Sequence, residues 1–288
     1  MSRIFDALRK SEGQLQEQPD IAPGDFLETM ERANGALHEV PVERACLRPE
    51  SRVILYSDPR SPGAERFRLL RANLDHWQAA KKIKTLLLTS ALPQEGKSLM
   101  ALNLATALAG QPGRSVLLLE CDLRRASLRP LLSLPPWPGL SHCLQNGGDP
   151  FSALRRIEPL GFYLLPAGEE TPNPVELLQS QRFPDLMRQL ASFFDWVVID
   201  SPPVSPLADT VVLKAHTDAS LVVVRAGVTP RELVAEAVER LGPERMIGIL
   251  LNGAEGLHDS YYQYYQYGRN NGSQGSKKTK PKKMKKQG

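Results

Sequence analysis

The sequence predicts an α/β fold: a doubly wound, mostly parallel sheet, preceded by a flexible extension and followed by a disordered tail rich in tyrosine and lysine. Three observations carry that expectation. From residue 85 onward, continuous apolar runs of strand length alternate with helical patterns, and such runs mean burial on both faces of a sheet. A loop with phosphate-binding character follows directly on the first run and leads into an apolar helix. The 288 residues suit one α/β domain with extensions as well as two small domains.

Residues 1–50 read as the extension. Ile4, Phe5 and Leu8 form a short apolar helical stripe, and Gln, Glu, Pro and Gly follow with few large apolar groups, so a short docking helix and a linker are expected. The domain is expected over 51–257. It begins with a charged amphipathic helix from about Pro62 to Ala80, with Phe67, Leu70 and Leu74 on one side. Strands are predicted at Thr85–Thr89, Ser115–Cys121, Phe162–Leu165, Trp196–Asp200, Ala219–Arg225 and Met246–Leu251. Helices are predicted between them at about Lys97–Ala109, Pro174–Gln179, Phe183–Phe193, Leu207–Lys214 and Pro230–Leu241. In such a sheet, ligands bind at the carboxyl ends of the strands.

Residues 258–288 form the tail. Five of the seven tyrosines fall there within seven residues, at Tyr261, Tyr262, Tyr264, Tyr265 and Tyr267, set among Gln, Gly, Ser and Asn rather than in an apolar pattern. The cluster reads as presented, not packed. Arg269 and seven lysines between Lys277 and Lys286 carry eight positive charges with no acid after Asp259, so the net charge of +4 leaves about −4 for residues 1–268. Basicity confined to one end argues against a broad nucleic-acid-binding face. Cys46, Cys121 and Cys143 are widely spaced without a CxxC pair, which indicates neither a disulfide framework nor a zinc site and fits a reducing cytosol. No apolar run approaches the ~20 residues needed to cross a bilayer, and the amino terminus has no continuous apolar stretch of signal-peptide type.

The loop after the first strand reads Ala91-Leu92-Pro93-Gln94-Glu95-Gly96-Lys97-Ser98, then Leu99. Its backbone N–H groups and the following helix terminus can surround a polyphosphate, Lys97 can reach the β and γ phosphates, and the Ser98 hydroxyl can ligate Mg²⁺. The strict pattern opens with Gly, where Ala91 stands. Two strand ends add acids: Glu120 and Asp122 with Arg124 after one, and Asp200 before Ser201-Pro202-Pro203 at another. A carboxylate at the tip of a central strand is costly to bury unless it meets a metal or a donor, and Mg²⁺ satisfies it simply. Ser98, Asp122 and Asp200 are therefore the expected metal ligands.

These motifs resemble the bacterial tyrosine kinases of capsule and exopolysaccharide assembly, whose fold is related to the MinD-type P-loop ATPases. The likeness runs from about Val53 to Tyr267. It rests on Pro-x-Glu-Gly-Lys-Ser at Pro93–Ser98, the Asp-x-Asp-x-Arg strand end, Asp-x-Pro-Pro at Asp200–Pro203 and the tyrosine cluster, with smaller echoes at Pro172–Leu178 and Gly248–Asn252. The first Asp of the second motif, the family's proposed acceptor of the tyrosine proton, is Glu120 here. The opening Met1–Glu12 resembles the start of some exopolysaccharide-locus kinases, including those found with exosortase systems, and also of some secretion-system proteins.

The resemblance implies an ATP- and Mg²⁺-dependent autokinase whose acceptors are the five tail tyrosines, entering the site of a neighbouring subunit. It implies a ring joined through a Glu-x-x-Arg-x-x-Arg helix, matched by Glu65, Arg68 and Arg71. Lys97, Glu120, Asp122 and Asp200 become the catalytic candidates, with Glu120 as base and Asp122 as its substitute. Asn252 stands where related ATPases use an Asn on the adenine; capping a turn is the alternative. A membrane chain-length regulator of the polysaccharide co-polymerase type is the implied activator, holding the protein at the inner face of the cell membrane, and a tyrosine phosphatase is a further implied partner. The lysine run adds attraction to an anionic membrane surface, on the order of 1 kcal/mol per lysine, which phosphorylation would weaken. The competing readings are a MinD-like ATPase, disfavoured because residues 91–95 lack the additional lysine such enzymes carry, and a non-catalytic nucleotide-binding assembly factor.

Overall fold

The computed structural model describes residues 37, 39–47, 51–205 and 209–254. The Ile4–Leu8 stripe, the tyrosine cluster and the lysine run lie outside them. The chain divides into two compact units, Met1–Pro41 and Val42–Gly288, and the second carries the sheet.

Along that unit, strand β1 (Val42–Arg44) and helices α1 (Ile54–Ser57) and α2 (Pro62–Lys81) precede β2 (Thr85–Ser90), α3 (Lys97–Ala109) and β3 (Val116–Glu120). Short helices α4 (Leu128–Leu131), α5 (Leu140–Asn146) and α6 (Pro150–Ala153) lead to β4 (Arg155–Glu158) and β5 (Tyr163–Leu165). Then come α7 (Pro174–Gln179), α8 (Arg182–Phe193), β6 (Trp196–Asp200), α9 (Asp209–Lys214), β7 (Ala219–Arg225), α10 (Arg231–Leu241) and β8 (Met246–Asn252). The eight strands form one sheet in the order β1-β4-β5-β3-β6-β2-β7-β8, parallel at every pairing except β4 with β5.

β2, β3 and β6 are buried at every residue, as continuous apolar runs covered on both faces should be. α3 is apolar nearly all round and packs Leu102, Leu104, Ala105 and Leu108 into the core. α8 is strongly one-sided instead, burying Phe183, Leu186, Met187 and Leu190 at helical spacing. α2 starts where Ser61 accepts a hydrogen bond from the Ala64 N–H with Pro62 in the first turn, and it ends at Lys82 in the left-handed conformation.

The chain enters α3 from β2, and the neighbours of β2 are β6 on one side and β7 on the other. This is the switch point at which a doubly wound sheet opens a crevice. In register, Glu120 of β3 stands opposite Asp200 of β6, and Asp200 opposite Leu88 of β2, so both acids sit at the carboxyl ends of neighbouring strands beside the one that leads into the phosphate loop.

Two strands lie outside the sequence expectation. Residues 42–44, assigned to the extension, form an edge strand paired with β4, and β4 was not anticipated either. Val-Glu-Arg, at the sheet's edge, is short, charged and partly exposed, as edge strands tend to be; Arg-Arg-Ile-Glu beside it is also short and charged, and neither presents an apolar run to read.

Candidate nucleotide and phosphotransfer site

The loop from Ser90 to Lys97 is shaped by local conformation and by two tethers. Gln94 and Gly96 have positive φ, 64° and 89°, and a Cβ on Gly96 would lie 2.2 Å from Asn252 Nδ2, so only glycine fits there. Asn252, at the end of β8, donates from Nδ2 to the Glu95 carbonyl at 2.8 Å. The buried Glu95 carboxylate accepts from the Leu92 N–H at 3.0 Å and from the Thr229 hydroxyl. Glu95 therefore stiffens the loop from behind. Asn252, expected on the adenine or as a turn cap, holds the loop's backbone.

The loop opens on a cleft of about 590 Å³, within the range of small-ligand sites. Of the expected residues, Pro93, Gln94, Gly96, Lys97, Ser98, Leu99, Asp122 and Arg124 line it. Pro203 of the Asp-x-Pro-Pro motif lines it too, as do Arg125, Ser127 and Leu131, which were not singled out from sequence. Arg125 follows Arg124 directly, and that doubled cation was the available signal.

Lys97 Nζ donates to Asp122 Oδ2 at 2.9 Å and lies 3.5 Å from Asp200 Oδ1. Burial works against the Lys97 charge, but Asp200 and Asp122 outweigh it and hold its pKa above the usual lysine value. Asp200 is fully buried, and neither carboxylate oxygen has a hydrogen-bond partner. Burial pushes its pKa up, and the Lys97 charge only partly offsets this.

Glu120 is equally buried but faces elsewhere. Its Oε1 accepts from the backbone N–H groups of Ser127 at 2.6 Å and Leu128 at 2.8 Å, and its Oε2 from that of Ala167 at 3.0 Å. Burial raises its pKa while those amides oppose the rise. Glu120 does not line the cleft. Its carboxylate is taken up by backbone donors and holds the loop between β3 and α4 against residue 167.

Arg124 Nε pairs with the buried Asp209 at 3.3 Å, which commits that guanidinium to the start of α9. Glu65 and Arg68 form an exposed pair at 3.0 Å on α2, and Arg68 also donates to the Pro59 carbonyl at 2.6 Å. Arg71 donates to the Ala107 carbonyl at 3.1 Å, near the carboxyl end of α3.

The donor set fits a magnesium nucleotide. Mg²⁺ commonly takes one or two carboxylates and completes its shell with phosphate oxygens and water, and here Ser98, Asp122 and the buried Asp200, with only Lys97 as a counter-ion, meet beside a phosphate cradle. Among the described residues, no three acidic, His or Cys side chains converge as a self-sufficient metal cage. A divalent ion here would share its coordination with the nucleotide. Among the same residues, no helix is long and apolar enough to cross a membrane.

Over 217 residues the chain is 32% identical to the tyrosine-protein kinase YwqD of Bacillus subtilis, spanning 75% of this chain and 91% of that protein. The chain belongs to the bacterial tyrosine-protein kinases. It is 31% identical over 221 residues to the tyrosine-protein kinase wzc of Salmonella typhimurium, covering 74% of this kinase but 31% of that longer protein. The solved kinase domain of the Escherichia coli tyrosine kinase ETK superposes with a TM-score of 0.68 at 25% identity, covering 83% of this chain and 97% of that one. The Mg-ADP complex of MinD from Pyrococcus horikoshii, at 20% identity and a TM-score of 0.52 over 61% of this chain and 72% of that one, shows the shared MinD-like P-loop fold alone. No protein-family profile matches the kinase.

Proposed function

We propose that this kinase is an autokinase: it transfers the γ-phosphoryl group of ATP to the tyrosines Tyr261, Tyr262, Tyr264, Tyr265 and Tyr267 of a neighbouring copy and thereby regulates a polysaccharide assembly system. The observation that carries this reading is Lys97 held between Asp122 at 2.9 Å and Asp200 at 3.5 Å, at the mouth of a phosphate loop. Phosphoryl transfer asks the protein for charge neutralisation and an in-line oxygen nucleophile, with little covalent work. The loop amides and Lys97 supply the first. Bound magnesium, held by Ser98 and Asp200 with Asp122 beside it, would neutralise charge on the phosphate oxygens.

The phenol oxygen forms a bond to the γ-phosphorus as the bond to the bridging oxygen breaks and ADP leaves. The phenol, with a pKa of about 10, gives its proton to a carboxylate. Asp122 takes that role here, because it lines the cleft while both oxygens of Glu120 are occupied by backbone amides. When phosphates draw Lys97 away, the Asp122 oxygen it occupied is released. Glu65, Arg68 and Arg71 join copies into a ring, and phosphorylated tails leave their sites and loosen it. A chain-length regulator in the membrane activates the kinase at the inner membrane face, a phosphatase resets the tail, and the lysine run adds a charge-dependent membrane contact.

The test is a phosphotyrosine assay with Mg·ATP on the full chain, on Lys97→Met and on a variant with the five tail tyrosines changed to Phe, with the activator's cytoplasmic segment added. Signal from the full chain alone is the expected result. Silence from all three with nucleotide binding intact would move the protein to the ATPase or adaptor class, the reading that the occupied Glu120 carboxylate favours.

A further inference from the structure

We infer that Arg125 forms a phosphotyrosine subsite beside the acceptor position, so that one phosphorylated residue of the tail helps seat the next; this deepens, and rests on, the tail-phosphorylation reading above. The charges of the cleft are otherwise committed. Lys97 is shared between Asp122 and Asp200. Arg124 pairs with Asp209. Arg125 is exposed on the same cleft, and among the described residues its guanidinium has no hydrogen-bond or ion-pair partner. Its backbone is engaged through an N–H shared between Asp122 Oδ1 at 3.1 Å and the Asp122 carbonyl at 3.3 Å, which ties its position to the acid beside the reaction.

A guanidinium on this cleft without an intramolecular carboxylate offers a planar fork for bidentate bonding to an oxyanion, and a phosphate monoester is the dianion this reaction makes. Geometry fixes which phosphate. Asp122 and Arg125 are joined in a turn by the Arg125 N–H to the Asp122 carbonyl at 3.3 Å, so their Cα atoms are separated by less than about 7 Å. Along an extended tail, residues two and three positions from the acceptor lie about 7 and 10 Å away. The cluster offers tyrosines at those separations, Tyr262 with Tyr264 and Tyr261 with Tyr264 among them. With the acceptor at Asp122, a phosphotyrosine two or three residues along comes to the latitude of Arg125. Each early phosphorylation then favours the next cycle, and the tail leaves once no acceptor tyrosine remains to occupy the position at Asp122.

The experiment uses the full chain with its five tail tyrosines changed to Phe, acting on synthetic peptides spanning residues 257–269. In each peptide Tyr262 is the single acceptor, and position 264 is either Phe or phosphotyrosine. The expected kcat/KM favours the phosphopeptide about tenfold, the scale of one charge-assisted hydrogen bond. That ratio falls to about one in Arg125→Ala and is partly kept in Arg125→Lys. Anisotropy titration of the same labelled peptides onto protein loaded with Mg·ADP reads the subsite independently of chemistry, with the same ratio expected. Equal affinity for both peptides, or an Arg125→Ala loss that falls equally on both and raises the KM for ATP, would overturn the subsite and give Arg125 to the nucleotide. Phosphopeptide preference in binding with no turnover of either peptide would instead sink the kinase reading and leave the subsite standing.

Discussion

Replacing Glu120 by Gln separates two roles that one carboxylate could play. Gln keeps the length and volume of Glu but has one acceptor oxygen. With that oxygen on the Ser127 and Leu128 amides, bonded at 2.6 and 2.8 Å, the Gln NH₂ must face the Ala167 N–H from the position of Oε2, at 3.0 Å. Two donors then oppose each other in a fully buried site, and the remaining two bonds lose their charge assistance. A buried donor left without an acceptor costs about 1–3 kcal/mol, so a net loss of about 2 kcal/mol is expected, larger for Glu120→Asp, whose carboxylate retracts by ~1.5 Å, one C–C bond. Urea unfolding followed by circular dichroism measures it as a lowered midpoint at unchanged m. Phosphotyrosine formation should persist, lowered only as far as the loop bearing Asp122 is loosened. A Glu120→Gln protein as stable as the unmodified kinase but unable to form phosphotyrosine would refute the reasoning and make Glu120 the proton acceptor.

Two further substitutions probe the loop and the helix α2. Asn252→Ala removes the 2.8 Å bond to the Glu95 carbonyl, worth about 1 kcal/mol; Mg·ADP affinity by calorimetry should fall roughly five-fold through the loosened loop, and an unchanged affinity would deny Asn252 that role. Arg68→Glu breaks an exposed pair with Glu65, worth less than about 1 kcal/mol, so the melting temperature should barely move while light scattering records loss of higher oligomers; an unaltered oligomer would remove Arg68 from the interface.

The strands of the central sheet were legible because burial on both faces leaves an uninterrupted apolar run: Trp196–Asp200 and Ala219–Arg225 have the predicted bounds. α3 begins at Lys97 as predicted, since Gly96 ends the loop. α4 and α6 have four residues each, shorter than a pattern can register, and β4 is a short charged strand second from the sheet's edge. In the site, residue types that bind phosphate and metal are readable because the chemistry requires them. Direction is not. Glu120 lies at the strand tip as expected, yet its acceptor bonds run to amides seven, eight and 47 residues onward, and no local spacing encodes such a contact.

Asp200 shows what the fold gives up to keep this site. Its backbone is fixed, with its carbonyl accepting from the Cys121 N–H at 2.8 Å and its strand in register on both sides. Its side chain is buried without a hydrogen-bond partner, so the mobile group that can answer its charge is Lys97. Burial raises the folded carboxyl above its unfolded value. A group shifted that way binds protons more readily in the folded state, so its ionisation costs stability as pH rises from about 4 toward the folded pKa. Asp200→Asn removes that cost, and without ligand it should be more stable than the unmodified kinase at pH 7, by on the order of 1–2 kcal/mol, with the gap closing at pH 4. Urea midpoints at the two pH values check it. The same variant should lose the magnesium dependence of ADP binding: in the unmodified kinase, phosphates that draw Lys97 away leave the Asp122 and Asp200 charges without a cation between them, and the neutral amide removes that need. A variant less stable at pH 7 than at pH 4 relative to the unmodified kinase would show that Asp200 is a structural partner of Lys97 and not a carboxylate held in strain for a metal.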